Sequence, residues 1–206
     1  VPSELEAVAA EAAGCTRCRL HQSRTQVVFG QGDPHADLMF VGEAPGFHED
    51  RQGIPFVGPS GQLLNRLLEG IGLRREDVYI CNVVKSRPPQ NRDPQPDEIA
   101  ACRPWLDAQI RLVDPKVVVT LGNFAAKTLL ETTTGITRLR GQTYPFQGRV
   151  LLPTFHPAAA LHAQGRRTAG PSPLEAMEGD FKVLAELLAA RAPVDDDRPT
   201  EQLGLF

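Results

Sequence analysis

Nowhere in the 206 residues does an apolar run approach the ~18 consecutive residues of a membrane-spanning helix. The N-terminus also lacks the basic-then-apolar order of a secretory signal. Both absences point to a cytoplasmic location. Nor is there a surplus of positive charge, since the formal net charge is −3. Asp195, Asp196, Asp197 and Glu201 against Arg198 account for that excess, which leaves the remainder neutral. Any nucleic-acid contact must then come from local basic patches and not from a global field. Cysteines are scarce, with only Cys15, Cys18, Cys81 and Cys102. A cytosolic chain of this size rarely uses them as disulfides, so Cys15-x-x-Cys18 reads as a metal or redox signal.

What is present is the composition of a globular protein, 41% hydrophobic and 23% charged, at a length that suits one sizeable domain. No internal repeat is visible. Ser3 followed by Glu6 forms a capping box for a helix to about residue 13. Residues 26–29 suggest a short strand. Leu38-Met39-Phe40-Val41 is a continuous apolar run ending in Gly42, as a buried parallel strand should be. Residues 42–58, rich in Gly and Pro, read as a long loop. Leu63, Leu64, Leu67, Leu68 and Ile71 predict an amphipathic helix over 60–71. Strands follow at 78–84 and 116–121, with an irregular loop at 86–96 and a long helix marked by Ile99, Cys102, Leu106, Ile110 and Val113. Asn123 offers a cap for the next helix, residues 135–155 read as two strands around Gly148, and Ser172-Pro173 with Glu175 opens a last helix.

Alternating strands and helices predict an α/β fold of three layers, α/β/α, with a mostly parallel central sheet. Residues 1–191 form the expected domain and residues 192–206 a flexible acidic tail. In such sheets ligands bind beyond the carboxyl ends of the strands. Segments 42–58, 82–94 and 156–167 lie at those ends and are expected to converge.

Each of the three carries side chains with usable chemistry. In the first, glycines allow close backbone approach, Glu43, Glu49 and Asp50 can orient water or stabilise positive charge, and the ring of Phe56 can stack on a base. The competing reading is a solvated loop with Phe56 in the core. In the second, Asn82 offers an acceptor and two donors suited to a pyrimidine edge, while Lys85, Arg87 and Arg92 can hold phosphates. The competing reading is a proline-stiffened loop with solvated cations. In the third, His156, fixed by Pro157, can donate to developing negative charge, or be merely structural.

Taken together, Gly42-Glu43-Ala44-Pro45-Gly46, Pro55-Phe56-Val57-Gly58, Asn82-Val83-Val84-Lys85, Arg87-Pro88-Pro89, Asn91-Arg92 and His156-Pro157 resemble the iron–sulfur (family 4) uracil-DNA glycosylases, from about Cys15 to residue 190. The resemblance implies a DNA-repair hydrolase acting on an everted uracil. Phe56 would stack on the base, Asn82 read its edge, and His156 hydrogen-bond a carbonyl oxygen as the glycosidic bond breaks. Gly42 and Glu43 would line the pocket. Glu49, held by Asn91, would position the attacking water, with Glu43 as second choice. Lys85, Arg87, Asn91 and Arg92 would contact DNA. The segment after His156 would enter the minor groove, though Ala159 and Ala160 thin the wedge to Leu161.

The resemblance also implies a [4Fe–4S] cluster on four cysteines. Cys15, Cys18 and Cys102 match three, but the fourth position holds Ser86, a harder and poorer donor for iron. Several readings stay open: Ser86 as an alkoxide, an iron open to water, Cys81 by rearrangement, or a serine introduced for a native cysteine. Strand alternation turns Cys81 away from the face of Asn82, as a buried core thiol. Zinc on the same ligands is the chemical alternative. Gln202-Leu203-Gly204-Leu205-Phe206 resembles the short motif by which bacterial repair proteins bind the sliding clamp, or else folds back on the domain. The chain is otherwise expected to be a monomer. Two other functions compete: a uracil-DNA binder that traps its product covalently, and a non-catalytic metal module. The trapping relative carries a His-containing loop after the second motif, and residues 85–94 contain no His.

Overall fold

A computed structural model describes residues 3–163 and 170–191. Six strands form one sheet: β1 Gln31–Gly32, β2 Leu38–Gly42, β3 Tyr79–Asn82, β4 Val117–Leu121, β5 Tyr144–Phe146 and β6 Arg149–Thr154. Their order is β1-β3-β2-β4-β6-β5. The inner four run parallel and the two edge strands antiparallel. The helices are α1 Glu4–Ala13, α2 Phe47–Gln52, α3 Pro59–Glu69, α4 Pro96–Val113, α5 Asn123–Leu130, α6 Ile136–Leu139, α7 Pro157–His162 and α8 Pro173–Arg191. Among the described residues no helix is long and apolar enough to cross a membrane.

Strand alternation divides the core into two layers. Met39 and Val41 of β2, with Cys81, Val118 and Leu151, pack against Ala12, Trp105, Leu106, Ile110 and Leu129 from α1, α4 and α5. Leu38 and Phe40, with Ile80, Val119 and Leu152, face Leu63, Leu64, Leu68, Met177, Phe181 and Leu184 from α3 and α8. Both faces of the sheet are thus covered, which is why its inner strands are apolar throughout and not alternating. This is the three-layer α/β fold that the sequence predicts.

Several local expectations need correction. The edge strand is not residues 26–29. Val28 N–H makes one bond to the Lys85 carbonyl (2.8 Å), and pairing begins only at Gln31, opposite Ile80. Gly32 makes that approach possible: its φ is 130°, and a Cβ there would lie 1.8 Å from the Val78 oxygen. The loop 42–58 contains α2, ended by Gly53 in the left-handed conformation (φ 73°). Asn123 does not cap α5. It is the first helical residue, Gly122 holds the cap position, and the Asn123 side-chain oxygen (Oδ1) accepts from Ile136 N–H (3.2 Å), so it serves α6. The two strands within 135–155 do flank Gly148, through a turn with Gln147 and Gly148 both at positive φ, as a tight hairpin requires. The tail 192–206 with its clamp-like pentapeptide, and residues 164–169 of the third segment, lie outside the described residues.

The last helix is tied to the sheet by a buried ion pair. Asp180 accepts from Arg140 and from the Thr154 hydroxyl (2.6 Å), and Arg140 also donates to the Ala176 carbonyl. Thr154 ends β6, two residues before His156. Replacing Asp180 with Ala leaves Arg140 without its counter-charge. A loss of about 3 kcal/mol in unfolding free energy is expected, measured by urea denaturation.

Candidate active site

The parallel strands place Gly42, Asn82 and Thr154 at one edge of the sheet, with Gly42 directly beside Asn82. The segments leaving that edge enclose a cavity of about 720 Å³. Glu43, Glu49, Phe56, Asn82 and His156 all line it. The rings of Phe56 and His156 lie 5.7 Å apart, centroid to centroid, at 32°. Two of the expected segments and the described part of the third therefore meet.

Asn82 is 1% exposed, and its side-chain oxygen has no hydrogen-bond partner. An orphaned buried acceptor of this kind is costly unless a ligand completes it. Gly42 is glycine for a reason of space: a Cβ there would lie 2.4 Å from that oxygen and 2.5 Å from the Phe56 ring. Phe56 itself has a positive φ of 52°, rare for a bulky residue and costly in strain. Arg75 holds the strained turn by donating to the carbonyl oxygens of Phe56 (2.8 Å) and Pro55. Gly61 makes room for the Phe56 carbonyl, 1.8 Å from where a Cβ would stand.

His156 sits at the cap position of α7, and its Nδ1 accepts from Ala158 N–H (3.1 Å). Burial pushes its pKa down to about 4, against the opposing charge of Glu49. The ring is therefore neutral near pH 7. With Nδ1 occupied as an acceptor, the single ring proton resides on Nε2, which becomes a donor. Gly122, at φ 93°, allows the ring to sit close, since a Cβ there would be 2.9 Å from that of His156.

The two acids differ. Glu49 Oε1 accepts from Val57 N–H and Gly58 N–H, both at 2.9 Å. Its Oε2 lies beside Gly46, in the cavity wall. Glu49 is thus held by the backbone of the Phe56 loop and not, as expected, by Asn91. The Asn91 side-chain oxygen instead accepts from Arg87 Nε (2.7 Å). Glu43 is half-buried, and burial, reinforced by Asp93, raises its pKa to about 7.

The expected DNA contacts need revision. Lys85 is 2% exposed and cannot reach a phosphate. Its ammonium donates to the Asn82 carbonyl (2.6 Å) and to the Gln109 side-chain oxygen. Arg92 directs both terminal nitrogens to buried Glu98 (2.9 and 2.6 Å), which orders the start of α4. Leu161 is half-buried against the α3–α8 core layer and is not a free wedge. Asn91 lines the cavity, and Arg87 lies next to it, its guanidinium 5.1 Å from the ring centroid of Phe47.

Cys15 and Cys18 follow α1, and Cys102 lies in α4. Cys15 and Cys18 pack against the same core layer that holds Cys102. Arg17 stacks on Trp105 (4.2 Å), and Arg19 pairs with Asp97 (2.8 Å), fastening the cysteine loop to α4. Lys85 N–H donates to Cys102 Sγ (3.5 Å). Ser86, the next residue, is buried and accepts from Arg24 (3.2 Å). Cys81 is fully buried in the core layer under α1 and α4, as a core thiol. Among the described residues no group of three or more His, Cys, Asp or Glu could hold a single metal ion.

Residues 29–182 match the model of the uracil DNA glycosylase superfamily. This chain belongs to that superfamily. Type-4 uracil-DNA glycosylases are similar over most of its length. The one from Sulfurisphaera tokodaii is 45% identical over 192 residues, covering 89% of this chain and 84% of the relative. The Archaeoglobus fulgidus protein is 43% identical, covering 92% and 96%. The Thermotoga maritima protein is 48% identical, covering 76% and 83%. Sequence reasoning anticipated the superfamily but not Arg75, Gly122 or the burial of Lys85. Arg75 and Gly122 act through tertiary contacts across the glycosylase fold, and no local pattern marks them.

Glu43 and His156 give this glycosylase a pH signature. Folding raises the Glu43 pKa from 4.5 to about 7, so its contribution to stability is lost as pH rises through that window. Folding lowers the His156 pKa from 6.5 to about 4, so its contribution is lost as pH falls through 6.5 towards 4. Glu43→Gln should therefore gain on the wild type between pH 5 and pH 8. Denaturant titrations at both pH values check this.

Proposed function

We propose that this chain hydrolyses the N-glycosidic bond of uracil in DNA, leaving an abasic site, and that Asn82, Phe56, His156 and Glu49 carry the reaction. The orphaned Asn82 oxygen is the observation that carries this reading. Uracil presents an N3–H donor to it, and a carbonyl oxygen that the same amide can donate to. Cytosine presents a bare N3 and an amino group instead, which would set acceptor against acceptor. A base inside a duplex cannot reach this cavity, so the nucleotide must be everted. Phe56 then supplies a flat apolar wall for the base.

Bond breaking sends the electron pair of the C1′–N1 bond to the base, giving a uracil anion and a cationic sugar. The Nε2–H of His156 is placed to donate to a uracil carbonyl oxygen, and that bond strengthens as the anion forms. A neutral donor suits this role, because it delivers no proton and needs no acid pH. The backbone bonds on Glu49 Oε1 leave Oε2 to hold a water. Attack of that water on C1′ forms the new C–O bond, and its proton passes to the carboxylate. The nearby Glu49 charge also stabilises the cationic sugar.

The gathered thiols of Cys15, Cys18 and Cys102, with position 86 alongside, support a [4Fe–4S] cluster held by those residues. The donor set suits such a cluster in kind: three sulfurs packed on one core layer, one already accepting a backbone N–H, and the Ser86 oxygen beside them. Such a group, when bound, supplies a rigid multi-centre crosslink between the α1 loop, the segment after Asn82 and α4. The terminal segment Gln202-Leu203-Gly204-Leu205-Phe206 would dock on a sliding clamp, tethered by residues 192–201.

Incubation with a uracil-containing oligonucleotide followed by alkali should cut the strand at the uracil. Asn82→Ala and His156→Ala should each lower the rate roughly 10²–10³-fold. An uncut strand, or a protein–DNA band that survives denaturation, would overturn hydrolysis. Absorption at about 400 nm should accompany the purified protein and vanish in Cys102→Ala. Ser86→Cys should slow its bleaching by a chelator, because thiolate binds iron better than a serine oxygen.

A further inference from the structure

Phe47 is 46% exposed, the most exposed large apolar side chain among the described residues. It opens α2, and its ring forms part of the wall of the active-site cavity. What surrounds it is cationic and aromatic. The guanidinium of Arg87 lies 5.1 Å from its ring centroid, that of Arg51 5.5 Å, and His48 meets it edge-on at 5.5 Å. Among the described residues neither arginine is paired with a carboxylate. Arg87 uses only Nε, on Asn91, and the Arg51 side chain is exposed.

Two segments distant in sequence thus set two cations without carboxylate partners against a flat ring that belongs to the cavity wall. A ring kept for the core would be covered. A rim needed only for solubility would not carry an exposed phenylalanine. Eversion of a uracil removes one stacking partner from the base beside it, at a cost of a few kcal/mol. Aromatic side chains flanked by arginines are how proteins hold unpaired bases and their phosphates.

We propose that Phe47, Arg51 and Arg87 form a platform for the nucleotide adjacent to the uracil on the same strand. The Phe47 ring stacks on that base, and the two guanidinium groups hold the flanking phosphates. The platform rests on the reading that the cavity receives an everted uracil. It is separate from the contacts that read the uracil itself. An acidic peptide would also suit two arginines, but the ring belongs to the wall of the cavity, where the strand must pass.

The test uses single strands carrying 2′-fluoro-2′-deoxyuridine, which resists hydrolysis, with 2-aminopurine on its 5′ or 3′ side. Wild-type protein should change the 2-aminopurine fluorescence on one side only. Phe47→Ala should abolish that change and weaken binding about tenfold, while Phe47→Trp keeps both. Arg51→Ala and Arg87→Ala should each lower the slope of log affinity against log salt by about 0.7, the single-strand value per phosphate. Binding by Phe47→Ala within twofold of wild type, with the fluorescence change intact, overturns the platform. So does an equal loss in Phe47→Trp, because stacking would then not be its basis. Wild-type excision from the same strand with ordinary uracil separates the two readings. If that fails, the everted-uracil reading falls and the platform with it. If it succeeds while the Phe47 variants behave as wild type, only the platform falls.

Discussion

The site depends on one crowded point, where an amide and a phenyl ring meet above an α-carbon that bears no side chain. Asn82 and Phe56 both occupy the space that a Cβ on Gly42 would need. Each arrives there by a different constraint. Asn82 is fixed by strand register, because β3 pairs with β2 so that Asn82 lies beside Gly42. Phe56 is forced there by a left-handed backbone that only outside support can maintain. Arg75 supplies that support through two carbonyls, and the Glu49 carboxylate adds it through the next two amides. The same carboxylate that braces the aromatic wall therefore presents its other oxygen to the cavity. Bracing and chemistry are coupled in one side chain.

Around that point the electrostatics suit the proposed reaction, in which charge separates without proton transfer from an imidazolium. Burial keeps His156 neutral, and the Ala158 amide fixes which nitrogen carries the proton. Low effective dielectric strengthens the bond it makes as negative charge grows on a bound base. The Glu49 carboxylate opposes this by favouring a charged ring, and desolvation outweighs it. An exposed histidine in the same place would titrate near pH 6.5 and act as an ordinary acid.

Much of this was legible in the residues, and the failures have a common cause. Phe56, Asn82 and His156 stand at strand ends in Gly- and Pro-rich segments, where an α/β sheet puts its ligands, so their meeting followed from topology. The buried parallel strands were equally plain as apolar runs. Lys85 and Arg92 look like phosphate contacts in the sequence because cations in a loop are usually solvated. Their actual partners, Gln109 and Glu98, come from α4 and are visible only once that helix is packed. Asn123 was read as a cap from its type. Gly122, able to adopt φ 93°, took the position and left the amide to serve α6. Short-range pattern sees residue type and periodicity. It does not see which distant element will arrive to claim a side chain.

Lys85 shows how the cysteine region reaches a reaction that it does not touch. A lysine with so little exposure loses its hydration and has no carboxylate among its acceptors, an arrangement that survives only if every proton is satisfied. Its ammonium donates to the Asn82 carbonyl and to Gln109 and lies 5.9 Å from the Phe29 ring centroid. Gln109 is in turn bound to the Phe29 carbonyl (2.8 Å) and the Tyr79 hydroxyl (3.1 Å), so the acceptor is itself fixed. At the same residue the backbone N–H donates to Cys102 Sγ. One residue thus holds the peptide of Asn82 through its side chain and the cysteine of α4 through its backbone. Anything that stiffens the thiols of residues 15, 18 and 102 limits movement of Lys85, and through it the carbonyl of Asn82. A group bound there would not need redox chemistry to matter: by narrowing the positions open to one amide, it would sharpen the choice between a pyrimidine that offers a proton at N3 and one that does not.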